Sequence, residues 1–175
     1  LVLRRQRQMC IRDSHYIVPG QAQEFHRGLK QICDQYHSEF YDRFKEWADN
    51  YFYIPHRNET RGVGGIFYDH LSEDDSVSKA DILDFCLTLG RAFPKLYAYQ
   101  AELGRKKEFS DEELHWMKLR RGRYVEFNLV HDRGTKFGLV SGGRTESILM
   151  SLPGNASWVY NNVPCLLYTS PSPRD

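Results

Sequence analysis

The chain has 175 residues, 24 Lys+Arg against 23 Asp+Glu, and a formal net charge of +1. That length suits one domain, and the even charge removes global basicity as an argument for nucleic acid. No stretch reaches the ~18–20 apolar residues of a membrane span, while aromatics at 14% supply a core and exclude a disordered chain.

Residues 1–14 and 165–175 are expected to be tails foreign to the fold. RRQRQMCIRDS (4–14) and CLLYTSPSPRD (165–175) are linked at the DNA level. ATGTGTATAAGAGAC encodes MCIRD, and its reverse complement, GTCTCTTATACACAT, encodes CLLYT when a T precedes it. One word in opposite orientations at the two ends is what a translated sequencing adapter produces. The expected domain is therefore 15–164, a truncated piece of a longer protein. Without the tails the net charge is −2, and Cys33 and Cys86 are the remaining cysteines. Both fall in helical apolar patterns, which predicts buried, reduced thiols in a cytosol-like compartment.

From Glu24 to Tyr51, Phe25, Leu29, Ile32, Cys33, Tyr36, Phe40, Phe44, Trp47, Ala48 and Tyr51 recur in steps of three and four. That spacing predicts one long amphipathic helix, ended before Pro55. RGVGGIFYDHL reads as a short strand opened by Gly62, Gly64 and Gly65. Ser76 or Ser78 can cap a second helix through Ile82, Leu83, Cys86, Leu89, Phe93, Leu96 and Tyr97, kinked at Pro94. Ser110 with Glu113 fits a capping box for a third helix, with Leu114 and Met117 on its buried side. After RRGR the period becomes two, so 123–140 is expected to be a β-hairpin turning at DRGT. ILMSL reads as a short helix capped by Thr145, and SWVY as another strand. Helices first and paired strands later predict an α+β fold, an antiparallel sheet flanked by helices.

Several clusters can carry chemistry. His26 edges the first apolar stripe and His56 sits in the turn beyond it. Imidazoles there would bind a metal, shuttle protons, or serve structure alone. HRNETRG (His56, Arg57, Glu59, Arg61) reads as an anion clamp or as a turn with surface ion pairs. RRGRY is the densest positive run, and 104–144 carries about +4 net. It suits a nucleic acid, a carboxylate-rich small molecule, or simply a solvated patch. Asp132-Arg133-Gly134 and Gly142-Gly143-Arg144 would lie near each other across the predicted hairpin. Together they could hold a carboxylate and accept a proton from an N–H, though DRG alone also reads as a plain turn.

Two long strings, YDRFKEWADNYFYIPHRNETRGVGGIFYDHL and LRRGRYVEFNLVHDRGTKFGLVSGGRTESILMSLP, resemble the oxygen-dependent coproporphyrinogen III oxidase family. The resemblance covers essentially all of 15–164. It implies a flat antiparallel sheet covered by helices, a homodimer, and oxidative decarboxylation of coproporphyrinogen III to protoporphyrinogen IX with O₂. No organic cofactor is implied. His26 and His56 match divalent-metal ligands of bacterial members. Asp132 and Arg133 match catalytic residues, and Gly142, Gly143 and Arg144 a substrate-contacting segment. Tyr124 to about Val159 matches the dimerisation region, with Tyr124, Phe127, Leu129, Ile148 and Leu149 as its candidate contacts. A bacterial member would be cytoplasmic, with no nucleic-acid partner and no membrane span.

The chain departs from the family pattern in places. The glycine-rich segment, the presumed proton-donor histidine and two further metal-binding positions belong upstream of HYIVPG. His131 stands where an aromatic is common and Ser157 where Arg is common. The parent enzyme is one expectation; an inactive fragment that binds tetrapyrrole carboxylates is the other.

Overall fold

A computed structural model describes residues 18–73, 76–106 and 108–162. The predicted tails, with Cys10 and Cys165, lie outside the described residues. The chain divides into two compact units, one from Val18–Phe52 and Val63–Lys107, the other from Tyr53–Gly62 and the polypeptide from Glu108 onward. No helix of the described residues is long and apolar enough to cross a membrane.

The first unit is three helices. Helix α1, Pro19–Cys33, starts on a proline, whose missing N–H costs nothing in a first turn. It buries Phe25, Leu29, Ile32 and Cys33. Helix α2, Phe40–Tyr51, buries Phe40, Phe44 and Ala48. The single long helix expected over 24–51 is thus two, corrected by a turn at 34–39. There the chain tightens, with Gln35 N–H donating to Ile32 O and Tyr36 N–H to Cys33 O. The break preserves the three-to-four spacing because both helices bury one stripe in the same core. Tyr36 is anchored in the turn, its hydroxyl 2.6 Å from Asp84 Oδ2 and 2.8 Å from Thr88 Oγ1.

Helix α3, Lys79–Arg105, is capped by Ser78 in a full capping box with Asp81 and continues unbroken through Pro94. Gly28 sets the approach of α1 to α3: a Cβ there would lie 2.5 Å from Leu96 Cδ2. Phe85, 0% exposed, is ringed by Tyr36, Phe40, Phe44 and Tyr68 at centroid distances of 5.3–5.9 Å. Such tilted and edge-on pairs add to the burial itself. Cys33 is fully buried beside them. Burial, aided by the charge of Asp34, pushes its thiol up to about 11, so it is not a nucleophile at neutral pH. RGVGGIFYDHL is not a strand here. It runs as irregular chain, with Gly64 at φ +73° and Phe67 N–H bonded to Phe44 O.

The second unit is built on a short antiparallel ribbon. Strand β1, Tyr53–Ile54, pairs with β2, Glu59–Thr60, in the register Tyr53↔Thr60 and Ile54↔Glu59. The turn between them closes with Asn58 in the left-handed region at φ 52°, a conformation asparagine tolerates. Helix α4, Asp111–Glu126, is capped by Ser110 and Glu113 as expected, and buries Met117, Leu119, Gly122 and Arg123. It passes directly into a π-helical turn, Phe127–His131. Asp132 then caps helix α5, Arg133–Val140, and a short helix α6, Thr145–Leu149, follows with Arg144 at its cap.

The hairpin expected at 123–140 is therefore helical. Residues four apart, Arg123 with Phe127 and Tyr124 with Asn128, satisfy a helical period as well as an alternating one. DRGT proves to be a cap: Asp132 Oδ2 accepts from Thr135 N (2.7 Å) and Thr135 Oγ1 (2.8 Å). SWVY is not a strand either. It lies against α4, with Ser157 N–H on Lys118 O at 3.0 Å, and a Cβ on Gly122 would meet Ser157 O at 2.6 Å. The described residues are thus mainly helical with a two-stranded sheet. That is compatible with α+β, while the larger sheet expected from the resemblance is not seen among them.

Candidate active site

The densest polar cluster of the second unit converges on Glu126, the last residue of α4. Its side chain is 12% exposed. Arg57 grips it with both arms of its fork, Nε to Oε2 at 2.9 Å and Nη2 to Oε1 at 2.7 Å. His56 Nε2 lies 3.0 Å from Oε2, Trp158 Nε1 donates to Oε1 at 2.9 Å, and Arg123 Nη1 reaches Oε1 at 3.3 Å. Burial alone would raise this carboxyl. The hydrogen bonds from Arg57 and His56 and the charge of Arg123 outweigh it and hold the group at about 2. Glu126 is consequently a fixed anion at neutral pH, suited to orienting its neighbours and not to moving protons.

A second carboxylate extends the cluster. Glu59 on β2 takes hydrogen bonds from Arg120 and Arg123, and Arg120 Nη2 also donates to Thr60 O at 2.7 Å. Arg61 lies over Tyr124 and Phe127, 4.9 and 5.0 Å from their ring centroids. HRNETRG is the partner of α4: the exposed His56 and Arg57 form ion pairs with Glu126, as the surface-pair reading expected, while Glu59 and Arg61 engage its arginines and rings. The RRGR run is not a solvated patch: the Arg120 and Arg123 side chains are 13% and 10% exposed and are spent on Glu59 and Glu126. Arg120 and Arg123, three residues apart on α4, both face the ribbon, and that periodicity of charge was the signal for it.

His131 joins the cluster from the π turn. Its ring stacks on His56 at 5.3 Å and 25°, with Nε2 3.2 Å from His56 Nδ1. Both ring nitrogens of His56 are thereby engaged. In the other unit, His26 Nδ1 meets Tyr41 Oη at 3.0 Å, while its Nε2 is buried without a hydrogen-bond partner. Burial, helped by the charge of Lys45 and opposed by that of Asp49, lowers the His26 pKa, so its imidazole is neutral at pH 7. Among the described residues, no three His, Cys, Asp or Glu side chains are placed to hold an ion. These residues do not make a metal centre by themselves, and no step below is routed through one.

The two predicted substrate motifs stand at the two ends of α5, not at a hairpin apex and its base. Eight residues at 1.5 Å each separate them by ~12 Å along the helix. Asp132 is partly buried at the amino end, with Arg133 exposed in the first turn. At the carboxyl end Gly142 takes φ +73° and Gly143 N–H bonds Gly138 O at 3.0 Å. A Cβ on Gly143 would lie 2.8 Å from that same oxygen, so this glycine pair is needed to end the helix. Arg144 is exposed at the cap of α6. Among the predicted dimer contacts, Phe127 is 1% exposed and interior, Tyr124 sits under Arg61, Ile148 packs on Gly138 and Gly143, and Leu129 faces outward.

Fold and site define a mainly helical protein carrying a ribbon–helix ion-pair network, with an acid and two exposed arginines around one short helix. Comparison with known proteins makes the class specific: the chain belongs to the coproporphyrinogen III oxidase family, matching it over residues 13–167. Three relatives illustrate the similarity. The oxygen-dependent coproporphyrinogen-III oxidase, chloroplastic, of Hordeum vulgare is 48% identical over 151 residues, covering 85% of this chain and 37% of that protein. The oxygen-dependent enzyme of Drosophila melanogaster is 46% identical over 151 residues, 86% of this chain and 38% of the relative. The mitochondrial enzyme of Homo sapiens is 49% identical over 156 residues, 89% of this chain and 34% of the relative. The chain thus spans little more than a third of their length.

Proposed function

We propose that the longer protein to which this chain corresponds decarboxylates coproporphyrinogen III oxidatively to protoporphyrinogen IX, with dioxygen as oxidant. The observation that carries this reading is the family match across 13–167, with relatives near 48% identity whose names state that oxidase activity. Each reacting propionate loses CO₂, a proton and two electrons and becomes a vinyl group. The electrons from two such side chains are the four that convert one O₂ and four protons to two waters. The substrate's carboxylates call for guanidinium forks, and Arg133 and Arg144 are exposed for that role. The Asp132 carboxylate accepts hydrogen bonds from pyrrole N–H groups, favouring electron release from the ring. No organic cofactor takes part. The assembly is a homodimer through the region from Tyr124 onward, and in a bacterial source the protein is cytoplasmic.

Two substitutions at Asp132 separate chemistry from capping. Asparagine retains an oxygen able to cap α5, whereas alanine does not. In the full-length protein both variants are expected to lower CO₂ release from coproporphyrinogen III by about 100-fold or more, the usual scale for a group acting on a proton in the reaction. Asp132→Asn should keep the wild-type melting temperature. Wild-type turnover in Asp132→Asn would reduce Asp132 to a helix cap.

A further inference from the structure

The passage from α4 to α5 goes through a wide π turn at Phe127–His131, in which Asp132 N–H bonds Phe127 O at 2.9 Å, five residues back. Such turns are rare and need a local cause. Asn128 is 9% exposed, and its Nδ2 donates to Tyr124 O at 2.7 Å. A side-chain donor on the carbonyl four residues back competes with the ordinary helical ladder. We propose that Asn128 is a positioning residue: its amide holds the π winding, and the winding sets where His131 and Asp132 point. Continued α-helix would close a turn one residue smaller and rotate everything beyond it. His131 would then leave its stack on His56, and the Asp132 carboxylate would leave its present aim. The assignment deepens the proposed function, since it rests on Asp132 acting on the substrate.

Alanine and serine at 128 test it as a matched pair. They leave nearly the same space, but only serine carries a hydroxyl that can donate to the carbonyl at i−4. Crystal structures of the two full-length variants read the winding directly, and steady-state kinetics with coproporphyrinogen III reads its consequence. In Asn128→Ala, Asp132 N–H is expected to shift to the carbonyl of residue 128. Its kcat should fall by about 100-fold, the scale of a misplacement near 1 Å, with KM within threefold. Asn128→Ser should keep the π register and a kcat within threefold of wild type, at a melting temperature equal to that of the alanine variant. A retained π register in Asn128→Ala overturns the proposal, as does equal kcat in the two variants. Should the register shift while the wild type itself releases no CO₂, the winding role stands and the reading of Asp132 as a reacting group falls.

Discussion

Glu126→Ala is expected to destabilise the protein by about 3–5 kcal/mol, the cost of removing one partner from a buried ionic cluster. The loss exceeds that of one salt bridge because five groups lose their acceptor at once: His56, both arms of Arg57, Arg123 and Trp158. Arg123, whose side chain is slightly more buried than the acid it faces, would be left with Glu59 as its remaining partner. The same cluster gives a pH signature. The carboxyl is held at about 2, against 4.5 for an unpaired glutamate. The folded state therefore binds this proton less readily than the unfolded chain, and the stabilisation is complete above pH ~4.5. It declines as pH falls from there and is gone below about 2, for a total of roughly 3 kcal/mol. Glu126→Gln, which keeps the shape without the charge, should remove that part of the acid transition. Denaturant melts of wild type and Glu126→Gln between pH 6 and 2 provide the check. Curves that stay parallel throughout would show that Glu126 carries no special charge.

Phe85→Ala should cost about 3–5 kcal/mol in the helical unit, by lost transfer energy and the cavity left behind. Four aromatic rings converge on Phe85 from the turn after α1, from α2 and from the segment before α3, so no single neighbour can collapse into the space. Cys33 reports the result without need of a global unfolding curve. It is wholly buried in the same core, and its thiol is pushed up to about 11, so alkylation requires the core to open. Labelling of Cys33 should accelerate by about 100-fold or more in Phe85→Ala, following the increase in the open population. An unchanged rate would mean that Phe85 does not hold this core together.

The capping box of Ser110 with Glu113 was legible in the sequence because it is local, whereas for α3 the sequence offered Ser76 or Ser78, and the structure selects Ser78 in a box with Asp81. The apolar stripe of 24–51 was legible as a stripe, but not its break. A turn that keeps helical phase leaves periodicity intact, and the anchor of that turn, the Tyr36 contact with Asp84 and Thr88, is forty-eight and more residues away in sequence. The strand assignments failed for a related reason. YVEFNLV alternates as a strand does, yet its first three residues are the last turn of a well-capped helix and the rest continue that helix as a π turn held by Asn128. DRG and SGGR were rightly singled out as breaks in regular structure, but their relation depended on what lies between them, and a helix separates what a hairpin would have joined. Glu126 drew no attention as one acid in a basic run. Its place three residues beyond Arg123, itself three beyond Arg120, was the signal of an acid on the same helix face as those arginines.

The most direct measurement is product formation by the full-length protein supplied with coproporphyrinogen III, in air and under strict anaerobiosis. The account predicts CO₂ release with protoporphyrinogen IX appearing in air, two CO₂ for each substrate molecule, and neither product once oxygen is removed. Binding without CO₂ release in air, or release that persists without oxygen, would contradict it.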